Sequence, residues 1–123
     1  MRTITAACLA ILVAGCGGKA TEEWAQQLKD GDAAGRLEAI QQLKQRSAEA
    51  AAVVPALTAA LKDENAFVRR DAATALARLG PEAHAAVPAL LALKRDRERS
   101  VRKAVATALK EIDPDAATRA GIR

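Results

Sequence analysis

The chain repeats itself every 33 residues, and that period constrains its architecture more than any single motif does. Adding 33 carries Leu28-Lys29-Asp30 onto Leu61-Lys62-Asp63, and Val54-Pro55-Ala56-Leu57 onto Val87-Pro88-Ala89-Leu90. The same step takes Val68-Arg69 to Val101-Arg102 and Leu76 to Leu109. Run backwards, it takes Arg69 to Arg36 and Leu76 to Leu43, with no gap anywhere. A unit this short cannot bury its own apolar face, so neighbouring units must stack and share one continuous core.

Inside each unit the apolar spacing is that of two helices. In the second unit, Val53, Val54, Leu57, Ala60 and Leu61 share one face of a helix expected over about 49–62. Val68, Ala72, Leu76 and Leu79 share one face of a second helix over about 65–79, with Asn65 as its amino-terminal cap. Gly80 ends that helix and Pro81 opens the next. The third unit sets Val87, Leu90, Leu91 and Leu93 against Val101, Val105, Leu109 and Ile112. In the first, shorter unit, Thr21 followed by Glu22 and Glu23 reads as the amino-terminal cap of the opening helix, the acids matching the helix dipole. Strands are disfavoured by composition, since Tyr is absent and Trp24 and Phe67 are the two aromatics. The expectation is an all-α fold, a short α-solenoid of about three helical hairpins. Its units fall at about 22–47, 48–80 and 81–113, with a partial cap at 114–123.

The unit, read as AxxVPxLxxxLxDxxxxVRxxAxxALxxLG, is similar to the HEAT repeat, especially the short bacterial class first noted in phycobilin-lyase proteins. The resemblance covers residues 22–113. It implies a kink at Pro55 and Pro88 within each first helix. It also implies a ladder along the stack built from Asp30 and Arg36, Asp63 and Arg69, and Asp96 and Arg102, the aspartates capping the second helices. Ankyrin-like and tetratricopeptide-like readings of the period lack their Thr-Pro-Leu-His and paired-aromatic marks here.

Residues 1–15 read as an export signal. Arg2 precedes the apolar run Ile4 to Ala14, which is too short to cross a bilayer as a helix. Val13-Ala14-Gly15-Cys16 resembles a bacterial lipobox, which implies cleavage before Cys16 and acylation of its thiol. Residues 16–21 then form the lipidated cysteine and a short tether, and Gly17 after the cysteine implies the outer membrane of a Gram-negative envelope. Removal of the leader takes Cys8 with it and leaves no second thiol to pair with Cys16.

Little in the remaining chain can do chemistry. His84 stands alone, Ser47 and Ser100 have no neighbouring base, and there is no phosphate-binding glycine loop. Neither a catalytic residue, a metal nor a cofactor is expected. Charge is uneven: residues 16–66 carry net −2 and residues 67–123 net +5. The leading expectation is an envelope lipoprotein that binds another envelope protein, as a scaffold or assembly factor. A second reading gives the basic half, densest from Lys94 to Lys103, an anionic envelope polymer or lipid headgroup. A third makes the chain a non-catalytic subunit or a lyase-like enzyme partner. Nucleic acid is not an expected partner. In HEAT-like stacks the second helices line the concave face. Arg70, Lys103 and Arg78 on those helices stand outside the ladder, with Arg78 expected to face Glu111, and they are the candidate partner-binding residues. Trp24, at the register of Leu57 and Leu90, should close the amino-terminal end of the core.

Overall fold

The computed structural model describes residues 18–123. The expected export signal at residues 1–15 and Cys16 lie outside the described residues. Within them the chain forms α1 (Thr21–Asp30), α2 (Ala33–Leu43), α3 (Ala50–Ala60), α4 (Ala66–Leu79), α5 (Val87–Ala92), α6 (Arg99–Ile112) and α7 (Pro114–Arg119). Short 3-10 segments, Ser47–Glu49 and Gly80–Ala86, lead into α3 and α5. There is no strand among the described residues. First helices α1, α3 and α5 make one layer and second helices α2, α4 and α6 the other, with the α4–α6 packing the most extensive helix contact.

Two of the second helices, α2 and α4, start where a side chain caps them. Asp32 Oδ1 accepts the Gly35 N–H at 2.8 Å to cap α2, and Asn65 Oδ1 accepts those of Phe67 and Val68 at 2.8 and 3.3 Å to cap α4. Gly80 closes α4 at φ +62°, a conformation that a side chain would strain even though an added Cβ would meet nothing nearer than 4.0 Å. The shared core then runs through both layers. Leu43, Val53, Leu57, Val68, Leu76, Leu90, Val101, Val105 and Leu109 are all completely buried. Trp24 is buried at the amino-terminal end, with the Lys19 ammonium 4.5 Å above its ring.

Four local expectations are corrected. Thr21 does not cap α1: it is the helix's first residue and fully buried, its hydroxyl bonded to Glu49 and to Arg46, while the Glu23 carboxylate accepts the Ala20 N–H at 3.3 Å. Arg46 Nη2 also donates to the Lys19 carbonyl at 2.9 Å, so the chain is fastened to the domain from Lys19 onward rather than from residue 22. Pro88 is not in the interior of a helix. It occupies the first turn of α5, where its missing N–H removes no bond, and the His84 carbonyl four residues back accepts from Val87 N–H instead. Pro55, at the same register, does lie inside α3, with its ring in solvent. Leu91, expected to face inward, is 37 % exposed.

Candidate functional site

Two surfaces can act, the ladder along the turns and the outer face of the second helices. The ladder forms between units rather than within one. Arg36 Nε lies 2.8 Å from Asp63 Oδ2, out of hydrogen-bond alignment, while its Nη2 donates to Oδ1 at 3.2 Å. Arg69 Nε and Nη2 grip Asp96 at 3.0 and 3.2 Å, a bidentate fork on a planar carboxylate. Each arginine therefore pairs with the aspartate 27 residues on, in the following unit. Toward its own turn it offers the remaining nitrogen: Arg69 Nη1 donates to the carbonyls of Asp63 and Glu64, and Arg36 Nη1 to that of Gly31.

This corrects the expected roles. Asp63 and Asp96 do not cap the second helices; they close the turns by accepting the N–H two residues on, from Asn65 at 2.8 Å and Glu98 at 2.9 Å. Asp30 is outside the ladder altogether. It is exposed and its carboxylate is bonded by Gln26, because no arginine of a preceding unit reaches it. Arg102 keeps the backbone anchor, on Asp96 and Arg97, but has no carboxylate. Around Asp96, burial works to raise the carboxyl, but the Arg69 guanidinium and the Glu98 N–H outweigh it and hold the group below its ordinary value.

On the second-helix face, Phe67 is the most exposed large apolar residue, at 58 %. The Arg70 guanidinium lies over its ring, 5.1 Å from the centroid, and reaches Asp71 at 2.9 Å. Arg70 is thus engaged, contrary to the expectation from sequence. Lys103, one unit on at the same register, is exposed, with no side-chain partner among the described residues. Arg78 and Glu111 are both exposed but form no ion pair, so the expected pairing is absent. What the sequence reading missed is the Arg70–Asp71 contact, since adjacent residues on a helix do not normally face one another.

His84 is bound to the start of the next unit, its Nε2 3.1 Å from Asp113 Oδ2. Asp113 caps α7 through the Ala116 N–H at 3.0 Å, and that bond, with the His84 ring, holds its carboxyl below the ordinary value despite desolvation. Among the described residues no three His, Cys, Asp or Glu side chains are grouped to hold a metal ion. No helix there is long and apolar enough to cross a membrane.

Two layers of paired helices, a shared core and arginine–aspartate rungs from unit to unit define an α-solenoid of stacked helical hairpins. The family model for HEAT repeats matches residues 21–110, and the chain belongs to that family. HEAT repeats are helical scaffolds for protein interaction, a generally non-catalytic family. A comparison with curated proteins finds no match.

Proposed function

We propose that this chain is a lipid-anchored envelope protein whose solenoid holds another envelope protein against the membrane. The observation that supports the binding surface most is the Phe67–Arg70 platform. A large apolar ring left in solvent and covered by a guanidinium combines the residue types that concentrate binding energy. Lys103 extends the surface along α6, and Arg78 extends it along α4. With Tyr absent and Trp24 committed to the core, the surface must bind largely through charge and shape, so affinity should be modest and salt-sensitive.

The anchor rests on Val13-Ala14-Gly15-Cys16. Because Lys19 is already fastened by Arg46 and stacked on Trp24, a chain acylated at Cys16 has only Gly17 and Gly18 as free spacer. At about 3.3–3.6 Å per residue the amino-terminal end of the stack would sit on the bilayer surface. The outer membrane is the location the residue after Cys16 favours.

Two experiments test the reading. Cys16→Ser should leave the precursor uncut, without incorporated fatty acid and released from membranes; normal processing and retention of that variant overturns the anchor. For the surface, a photoreactive residue at position 67 or 103 should crosslink a protein partner in intact cells, and one at Ala59 on the opposite layer should not. Arg70→Glu with Lys103→Glu should abolish the crosslink while the helical circular dichroism is kept. If Arg97→Glu alone abolishes it, the second-helix face is the wrong surface and the basic turn is the site.

A further inference from the structure

Two slots along the first helices have the same lining one repeat apart. The larger, about 420 Å³, lies where the end of α3 meets α5, with Leu61, Lys62, Ala89, Ala92, Leu93 and Asp96 in its lining. The smaller, about 250 Å³, has Leu28, Lys29, Ala56, Ala59, Ala60 and Asp63 at the positions 33 residues earlier. The stacking of one unit on the next therefore builds the slot. Small-molecule sites occupy roughly 300–1,000 Å³, so the larger slot is the one with room for a ligand. Lys62 and Asp63 line both slots and form the wall they share.

What the larger slot offers decides what it can hold. Its apolar part is Leu61, which is buried, Ala89 and Leu93, which are half-buried, and Ala92. The Arg69–Asp96 rung lines it too, but its groups are already bonded inside the protein. Arg69 Nε and Nη2 hold Asp96, and Nη1 holds the carbonyls of Asp63 and Glu64. Asp63 accepts from Arg36 and the Asn65 N–H, and Asp96 accepts from the Glu98 N–H as well. The charges left over are both positive. Lys62 and Arg97 line the slot, are exposed, and pair with no carboxylate among the described residues. Glu64 and Glu98, the exposed acids beside the rung in sequence, are not part of the lining. A polar metabolite would find no free buried partner there, and two exposed cations return little against its desolvation. An apolar body with an anionic head suits both parts.

We propose that this slot binds one molecule of a single-chain anionic amphiphile. Its alkyl chain lies against Leu61, Ala89, Ala92 and Leu93, and its phosphate or carboxylate head is held by Lys62 and Arg97. The wall at Lys62 and Asp63 keeps the larger slot to one chain, which excludes a two-chain lipid from seating both of its tails there. The site is separate from the Phe67 face, takes a small molecule where that face takes a protein, and does not rest on the lipid anchor. A flat bilayer is the poorer occupant, because a concave slot presents no protruding apolar side chain to insert.

The test is calorimetric titration of the protein with dodecyl phosphate, kept below the concentration at which it forms micelles. Inorganic phosphate has the head without the chain, and dodecyl maltoside the chain without the charge; each should bind at least about tenfold more weakly. Lys62→Gln with Arg97→Gln should weaken dodecyl phosphate about five- to tenfold and leave dodecyl maltoside within about twofold. Ala92→Leu, which fills the slot from an exposed position, should weaken both amphiphiles. Lys110→Gln, an exposed cation on α6 outside the slot, should change nothing. All the substituted positions are exposed, so each variant should keep its thermal melt, checked in parallel. Failure of the unaltered protein to bind dodecyl phosphate overturns the proposal, as does binding that Ala92→Leu leaves intact or that Lys110→Gln weakens as much as the Lys62 and Arg97 pair. So does sedimentation with anionic phospholipid vesicles that the paired variant loses while Ala92→Leu keeps it, which would assign the two cations to a bilayer surface.

Discussion

Leu76→Ala is expected to cost about 2–5 kcal/mol, and Leu109→Ala the same. Both side chains are completely buried, one on α4 and the other on α6, the pair of helices in most extensive contact. Truncation removes the transfer free energy of the buried carbons and leaves a cavity that stiff, alanine-rich neighbours such as Ala72, Ala75 and Ala108 cannot collapse to fill. A domain of this size has roughly 5–15 kcal/mol in total. Either loss therefore takes a large share, and three units are about the minimum that a stack can stand on. Denaturant titration followed by helical circular dichroism should show the midpoint falling with no change of slope. Leu91→Ala, on the exposed side of α5, should stay within about 0.5 kcal/mol. A midpoint unmoved by Leu76→Ala would mean that the register of the stack is wrong.

How much of this was legible in the sequence depends on the range of the interaction. The 33-residue step gave the hairpins, their order and nearly every core position, because burial recurs with the repeat and repeats show without a structure. The caps at Asn65 and Gly80 were legible for a similar reason: they answer to backbone chemistry within three or four residues. The ladder was legible in its residues but not in its pairing. Asp63 and Arg69 are six apart, and nearness in sequence invites a pair within the turn. The actual partners are 27 apart, and only the stacking of one unit on the next brings them together. Pro88 and Leu91 were misplaced because the third unit's first helix is half 3-10 segment, which shifts which residues face the core. Arg70, Asp71 and Phe67 meet through side-chain rotamers on one exposed face, and no period encodes those.

The ladder's own energetics give the second large effect. Asp96→Ala is expected to cost about 3–5 kcal/mol, since it strands the Arg69 guanidinium, buried and charged, without its counter-ion. The side chains of Arg69 and Asp96 are 8 % and 7 % exposed, against 16 % and 13 % for Arg36 and Asp63, so Asp63→Ala should cost less. Arg102→Ala, which breaks no ion pair, should cost least, leaving a gradient that follows burial and not residue type. Arg69→Met combined with Asp96→Leu should recover part of the loss. Recovery will be incomplete, because the carbonyls of Asp63 and Glu64 and the N–H of Glu98 lose their partners as well. Acid provides the independent readout. Asp96 has its folded-state pKa below the ordinary aspartate value, so its stabilisation is complete above that value and is lost as pH falls through the lower, folded one. The unaltered protein should therefore lose stability on acidification faster than Asp96→Ala, and the gap between them should narrow. Asp113, also held below its ordinary value, titrates in both proteins and cancels in the comparison. A gap that stayed constant down through the aspartate range would mean that the rung contributes by packing alone and its charge does not matter.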